Sequence, residues 1–279
     1  MFARFSSAAL RGLLVTVLVA MPALMLPANV SRAGDLVAMM AILAGLLVLI
    51  EYNTAYPSFV EFRDAPPLNR IRFFALFAMV FLITVMSRNS YHETNLSAAI
   101  TAMGAVLGQA LDFPYSPVRL VVLMLPETTP LPVLLLVRAA AGLAYVIGLA
   151  SIAVFYLVVR FRGWPLGKGA FNVWINLPLF EPTIGGDVVH RLKRDGRVNI
   201  ILGVLLPFII PAAVKLAAQA GAELAITQPQ TLIWSITLWA FLPATMVTRG
   251  IAMLRVADLI KEKRRRAYAR AESHLIEAT

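Results

Sequence analysis

The chain has 279 residues, of which 59% are apolar and only 14% charged, against about a quarter charged in an average soluble protein. Cysteine is absent, which excludes disulfides, thiolate metal sites and a cysteine nucleophile. A net charge of +10 would suggest nucleic acid in a soluble protein, but the apolar residues fall into uninterrupted blocks, so the charge is read here as membrane topology.

The first apolar stretch, 8–28, follows Arg4 and contains Arg11. Its start resembles a signal peptide, and Ser31-Arg32-Ala33 before Gly34 resembles a cleavage site. The apolar run is longer than a signal core usually is, so an uncleaved first helix is expected. A second span covers 36–52 and ends at Glu51. The following 53–70 carries Tyr56, Phe59 and Phe62 among charges, then Pro66-Pro67, which forbids a continuous helix. Aromatics interleaved with charges suit a segment at the headgroup level. The third span is 71–87.

The stretch 95–111 is uncharged and helical in its spacing, with Gly104 and Gly108 four apart. It would reach only about 25 Å, marginal for a crossing. The apolar run after it is too short to return, so 95–130 is expected to be an outer re-entrant or interfacial hairpin, with Asp112 and Arg119 at its tip. The fourth span is 131–159, with Ala140, Ala144 and Gly148 forming a small-residue face. The fifth, 199–218, contains Pro207 and Pro211, and the sixth is 231–248. Beyond it, 249–279 is a basic tail read as a helix continuing past the membrane.

The loop 160–197 is the longest polar connection and holds seven basic residues against three acidic ones. Basic loops stay in the cytoplasm. Placing this loop and both termini inside gathers 20 of the 25 Lys and Arg on that face, with 10 of the 15 acids. The whole net charge then falls on one side. Arginine outnumbers lysine 20 to 5, as in a GC-rich bacterial genome. The expected fold is a single all-α integral membrane domain over 1–279, a six-helix bundle of a bacterial inner membrane.

Each candidate site has a simpler structural role beside it. Arg138 lies about two turns into the fourth span, where a charge is costly and marks a substrate path by default. Snorkelling to the outer surface, with Glu127 as partner, explains it more simply. Pro207 and Pro211 free helical carbonyls that could line a transport path, although proline kinks are common in membrane helices. Asp187, His190 and Glu181 could form a site on the inner face, but Asp187 is better read as the cap of a short helix ended by Gly196. Gly163 to Gly169 lacks the spacing of a phosphate-binding loop, and Trp164 and Trp174 are read as anchors at the interface. Lys261, Lys263, Arg264, Arg265 and Arg266 suit anionic lipid headgroups. Gly104, Gly108, Ala140, Ala144 and Gly148 suit helix packing.

Neither a metal nor a cofactor is expected. The expected partners are the bilayer, its anionic headgroups and other membrane-protein subunits, and not nucleic acid. Three functions fit: an accessory, assembly or scaffold component of a membrane complex, favoured because intramembrane charges are few; a small-solute or lipid transporter; and an interface enzyme using Glu51, Asp64, Glu181, Asp187 and His190. A scaffold should leave one small-residue face uncovered. A transporter should hold a polar cavity near mid-bilayer, and an enzyme should bring Asp64, Asp187 and His190 together.

Overall fold

A computed structural model describes residues 2–27, 34–165, 171–180, 186–221 and 228–277. All regular structure among them is helical: α1 (Phe2–Met25), α2 (Gly34–Asn53), α3 (Leu68–Asn89), α4 (Asn95–Leu111), α5 (Pro117–Met124), α6 (Leu131–Phe161), α7 (Val173–Asn176), α8 (Val188–Gln219) and α9 (Pro229–Glu277). Six of these, α1, α2, α3, α6, α8 and α9, are long and apolar enough to cross a membrane. In lipid a lone segment can satisfy its backbone only by coiling, so apolar runs of this length become helices.

Helices α3, α6 and α9 form the centre of the bundle. Met79, Ile83, Ala140, Ala144, Ile236 and Ala240 are buried there in one apolar core. Helix α1 packs against this core and carries α2 on its other side through Gly12 and Gly45. The outward side of α2 exposes Leu36, Met39, Leu43 and Leu46, as a lipid-facing helix should. Helix α8 lies along α9, where a Cβ on Gly250 would stand 2.5 Å from the Gly196 carbonyl oxygen. That approach corrects one expectation. Gly196 does not end a short helix, because α8 runs unbroken for 32 residues. Its missing side chain serves the contact with α9 instead.

Helices α4 and α5 form a hairpin against α3, α6 and α8. A Cβ on Gly108 would stand 2.6 Å from the Arg138 carbonyl oxygen, and one on Gly142 would stand 2.5 Å from Gly108 itself. Thr94 starts α4 with a capping box shared with Ser97, and Ser116 caps α5. Lys215 of α8 donates to the Leu123 carbonyl at 2.7 Å, near the end of α5.

At the opposite end, where α1 begins and α9 leaves the bundle, the connecting segments build a second core. Phe62, Leu68, Phe155, Trp164, Leu177, Leu192, Met253 and Val256 are buried in it. We refer to this as the basic end. Helix α9 passes through both cores and continues, 49 residues in all, or about 70 Å at about 1.5 Å per residue.

Candidate functional site

The basic end is organised by the segment between α2 and α3. A carboxylate near a helix C-terminus is opposed by the helix dipole, and Glu51 occupies that place in α2. The chain folds back so that the amides of Ser58, Phe59 and Val60 donate to this carboxylate at 3.0 to 3.3 Å. Arg63 then donates to the carbonyls of Glu51, Thr54 and Ala55 at 2.8 to 3.1 Å, closing the end of α2. Both prolines of Pro66-Pro67 precede α3, so neither interrupts its hydrogen-bond ladder.

Phe62 follows with φ of 54°, and its ring is fully buried. It meets Trp164 at 5.7 Å between centroids, and Trp164 meets Phe155 edge-on at 5.3 Å. The Trp164 indole donates to the Ala65 carbonyl at 3.1 Å. Neither Phe62 nor Trp164 therefore lies at a headgroup surface. Apolar rings with a satisfied N–H are better placed in a closed core. The side chain of Trp174 lies outside the described residues. Asn176 ties the two connecting segments together: it receives the Phe62 amide on its carbonyl at 2.6 Å and the Asp64 amide on Oδ1 at 3.0 Å.

Next to this core, Glu61 and Arg249 form a two-pronged pair at 2.6 and 2.7 Å. Arg249 also donates to Asn199 Oδ1 at 3.2 Å, and Asn69 donates to the Glu61 carbonyl. Arg72 of α3 reaches the Thr245 carbonyl and the Thr248 hydroxyl of α9. This network joins α3, α8 and α9 to the α2–α3 segment. Sequence analysis assigns no partner to Arg72, Asn199 or Arg249, because each pairs with residues far away in the chain. Their placement at the same end of three spans was the available signal.

The expected site residues make separate contacts. Asp64 pairs with its neighbour Arg63 at 3.3 Å. Asp187 caps α8 through the Val189 amide and takes a 2.6 Å bond from Arg264. That bond holds its carboxyl below the usual carboxylate range. His190 is exposed, and Glu181 lies outside the described residues. Among the described residues no group of three or more His, Asp or Glu could hold a metal.

Arg138 faces Asp112 at 3.5 Å, and Arg119 faces the same carboxylate at 3.3 Å. The Arg138 partner is thus Asp112 rather than Glu127. Pro211 has no amide hydrogen to give to the Pro207 carbonyl, and Trp239 of α9 donates to that oxygen at 3.0 Å. Both prolines are buried against neighbouring helices. The small-residue faces are covered by the chain itself: Gly104 and Gly108 lie against α3 and α6, while Gly148 lies against α9 and α3. Ala140 and Ala144 are fully buried.

In the basic tail, Arg264 meets Asp187 and Arg266 meets Glu262. Asp258 takes Lys193 of α8 at 2.9 Å. No family model, curated protein or solved structure matches this chain.

Proposed function

We propose that the protein is an accessory, assembly or scaffold component of a membrane complex, seated in a bacterial inner membrane with both termini in the cytoplasm. The observation that carries this reading is the course of α9. After the second core it continues as an exposed basic helix, through 261–272. A rigid rod of this kind, held at its base by two packed cores, presents a surface to a soluble or peripheral partner.

Several polar groups that a transporter or an enzyme could use have other duties. The Pro207 carbonyl is occupied by Trp239, Glu51 is wrapped by backbone amides, and Glu61 holds Arg249. The expectation that a scaffold leaves one small-residue face uncovered fails, because both faces are used for internal packing; the reading therefore rests on the basic end alone.

A photo-crosslinking residue at Arg265 or Tyr268, both exposed, tests this in cells, together with gentle detergent extraction. The expected result is one protein partner, crosslinked at either position and co-purifying in fixed ratio. Isolation of the chain alone, with crosslinks only to lipid, would overturn the proposal. A reporter fused after Thr279 should remain in the cytoplasm, and an exported reporter would invert the threading.

A further inference from the structure

Three exposed apolar stripes of the bundle finish, at the basic end, in an exposed arginine. On α3, Arg70 comes one turn before the exposed ring of Phe74. On α6, the stripe through Leu149, Val154 and Leu157 runs down to Arg160. On α8, Arg197 comes one turn before Ile201, and Val204 and Leu205 continue the stripe. Among the described residues none of these three arginines meets a carboxylate. Arg160 lies instead over the exposed ring of Phe161, 5.8 Å from its centroid. We infer that Arg70, Arg160 and Arg197 form a girdle that binds the phosphates of anionic phospholipids in the leaflet at the basic end.

Their heights along the bundle agree with this. Arg197 adjoins Gly196, which approaches the Gly250 backbone of α9. Arg70 shortly precedes Arg72, which reaches Thr245 and Thr248 of α9. Both therefore stand near Arg249, where the apolar part of α9 gives way to its charged part. Arg160 lies just over one turn past Phe155 of the second core, within reach of the same layer through its long side chain.

A phospholipid fits both halves of each position. Its acyl chains lie along the apolar stripe, which brings the phosphate to the stripe's charged end. A guanidinium presents a planar fork of donors that matches phosphate oxygens. Tyr156, exposed one turn before Arg160, is of the residue type that collects at headgroup level. An arginine without a carboxylate selects lipids of net negative charge, because the choline of phosphatidylcholine already balances its own phosphate. The tail competes less well, since Arg264 and Arg266 already meet Asp187 and Glu262. Lipid binding by the girdle is independent of what the tail docks.

The full chain, purified in mild detergent, is offered equal amounts of phosphatidylglycerol and phosphatidylcholine, and the retained lipids are counted by native mass spectrometry. Phosphatidylglycerol should be favoured at least fivefold, the scale of one basic residue at an anionic leaflet. The triple variant Arg70→Gln, Arg160→Gln, Arg197→Gln should retain the two lipids about equally. A tail variant with Lys261, Lys263 and Arg265 changed to Gln should keep the parent's preference. Equal retention by the parent, an unchanged preference in the triple variant, or its loss in the tail variant would overturn the assignment. Should the triple variant not fold, spin-labelled lipids in nanodiscs of the parent protein decide. The immobilised fraction should be larger for labelled phosphatidylglycerol than for labelled phosphatidylcholine, and added salt should close the gap. Equal fractions at low salt would overturn the girdle as well.

Discussion

Arg249 of α9 grips the Glu61 carboxylate through two bonds, 2.6 and 2.7 Å long, across 188 positions of sequence. The Glu61 side chain is only 7% exposed, while that of Arg249 is 28% exposed. Two-pronged arginine–carboxylate pairs are directional as well as strong. This one fixes the α2–α3 segment to the helix that runs through both cores.

Breaking the pair from one side leaves an unpaired charge. Glu61→Ala should cost about 3 kcal/mol and lower the thermal midpoint measured in detergent. The double variant Glu61→Leu with Arg249→Met removes both charges and should recover most of the loss. Equal midpoints for the single variant and the parent protein would show that water replaces the carboxylate at no cost.

Trp164 is completely buried, so Trp164→Ala opens a large cavity in the second core, at about 3 to 5 kcal/mol. The damage should stay at the basic end, because the bundle core is built from other residues. Limited trypsin treatment should cut the 160–197 segment faster while the apolar spans remain protected.

Trp239→Phe keeps most of the ring and deletes the N–H that reaches the Pro207 carbonyl. The oxygen is then buried without a donor, costing about 1 to 3 kcal/mol. A lowered thermal midpoint without solute leak in proteoliposomes is the expected outcome. An induced leak would show that this carbonyl borders a path.

The Asp187–Arg264 contact carries a pH signature. The hydrogen bond from Arg264 lowers the carboxyl's pKa below its ordinary value, so the contact is fully present above that ordinary value, about 4, and is lost as pH falls through the lowered one. Both side chains are about half exposed, so added salt should also weaken it. A spin label at Ala267→Cys, in a chain with no other cysteine, should show constant mobility from neutral to mildly acidic pH. Below the carboxylate range its mobility should rise. Asp187→Asn should give the mobile signal already at neutral pH.

Gly108→Val places a branched side chain where a Cβ alone would stand 2.6 Å from the Arg138 carbonyl oxygen. Because that obstacle is backbone, α4 must move away from α6. The thermal midpoint should fall by an amount typical of overpacking, about 1 to 3 kcal/mol.

The six apolar helices, the α4–α5 hairpin and the continuation of α9 were legible along the chain, because each depends on local length and hydropathy. Every apolar run long enough to cross had to satisfy its own backbone hydrogen bonds, whatever its neighbours. The roles of individual polar residues were not legible in the same way. Asp112 and Arg119 are expected together at the hairpin tip from nearness in sequence, and they are in contact. Arg138 was given Glu127, but α6 places it beside Asp112.

Gly196 and Trp164 show the physical reason. By itself the sequence determined which segments are long and apolar enough to cross a bilayer. Whether a glycine ended a helix or admitted another backbone, and whether an indole lay in headgroups or in a closed core, depended on what stood opposite. Tertiary structure alone decided that, because packing and buried pairing are interactions between residues far apart in the chain.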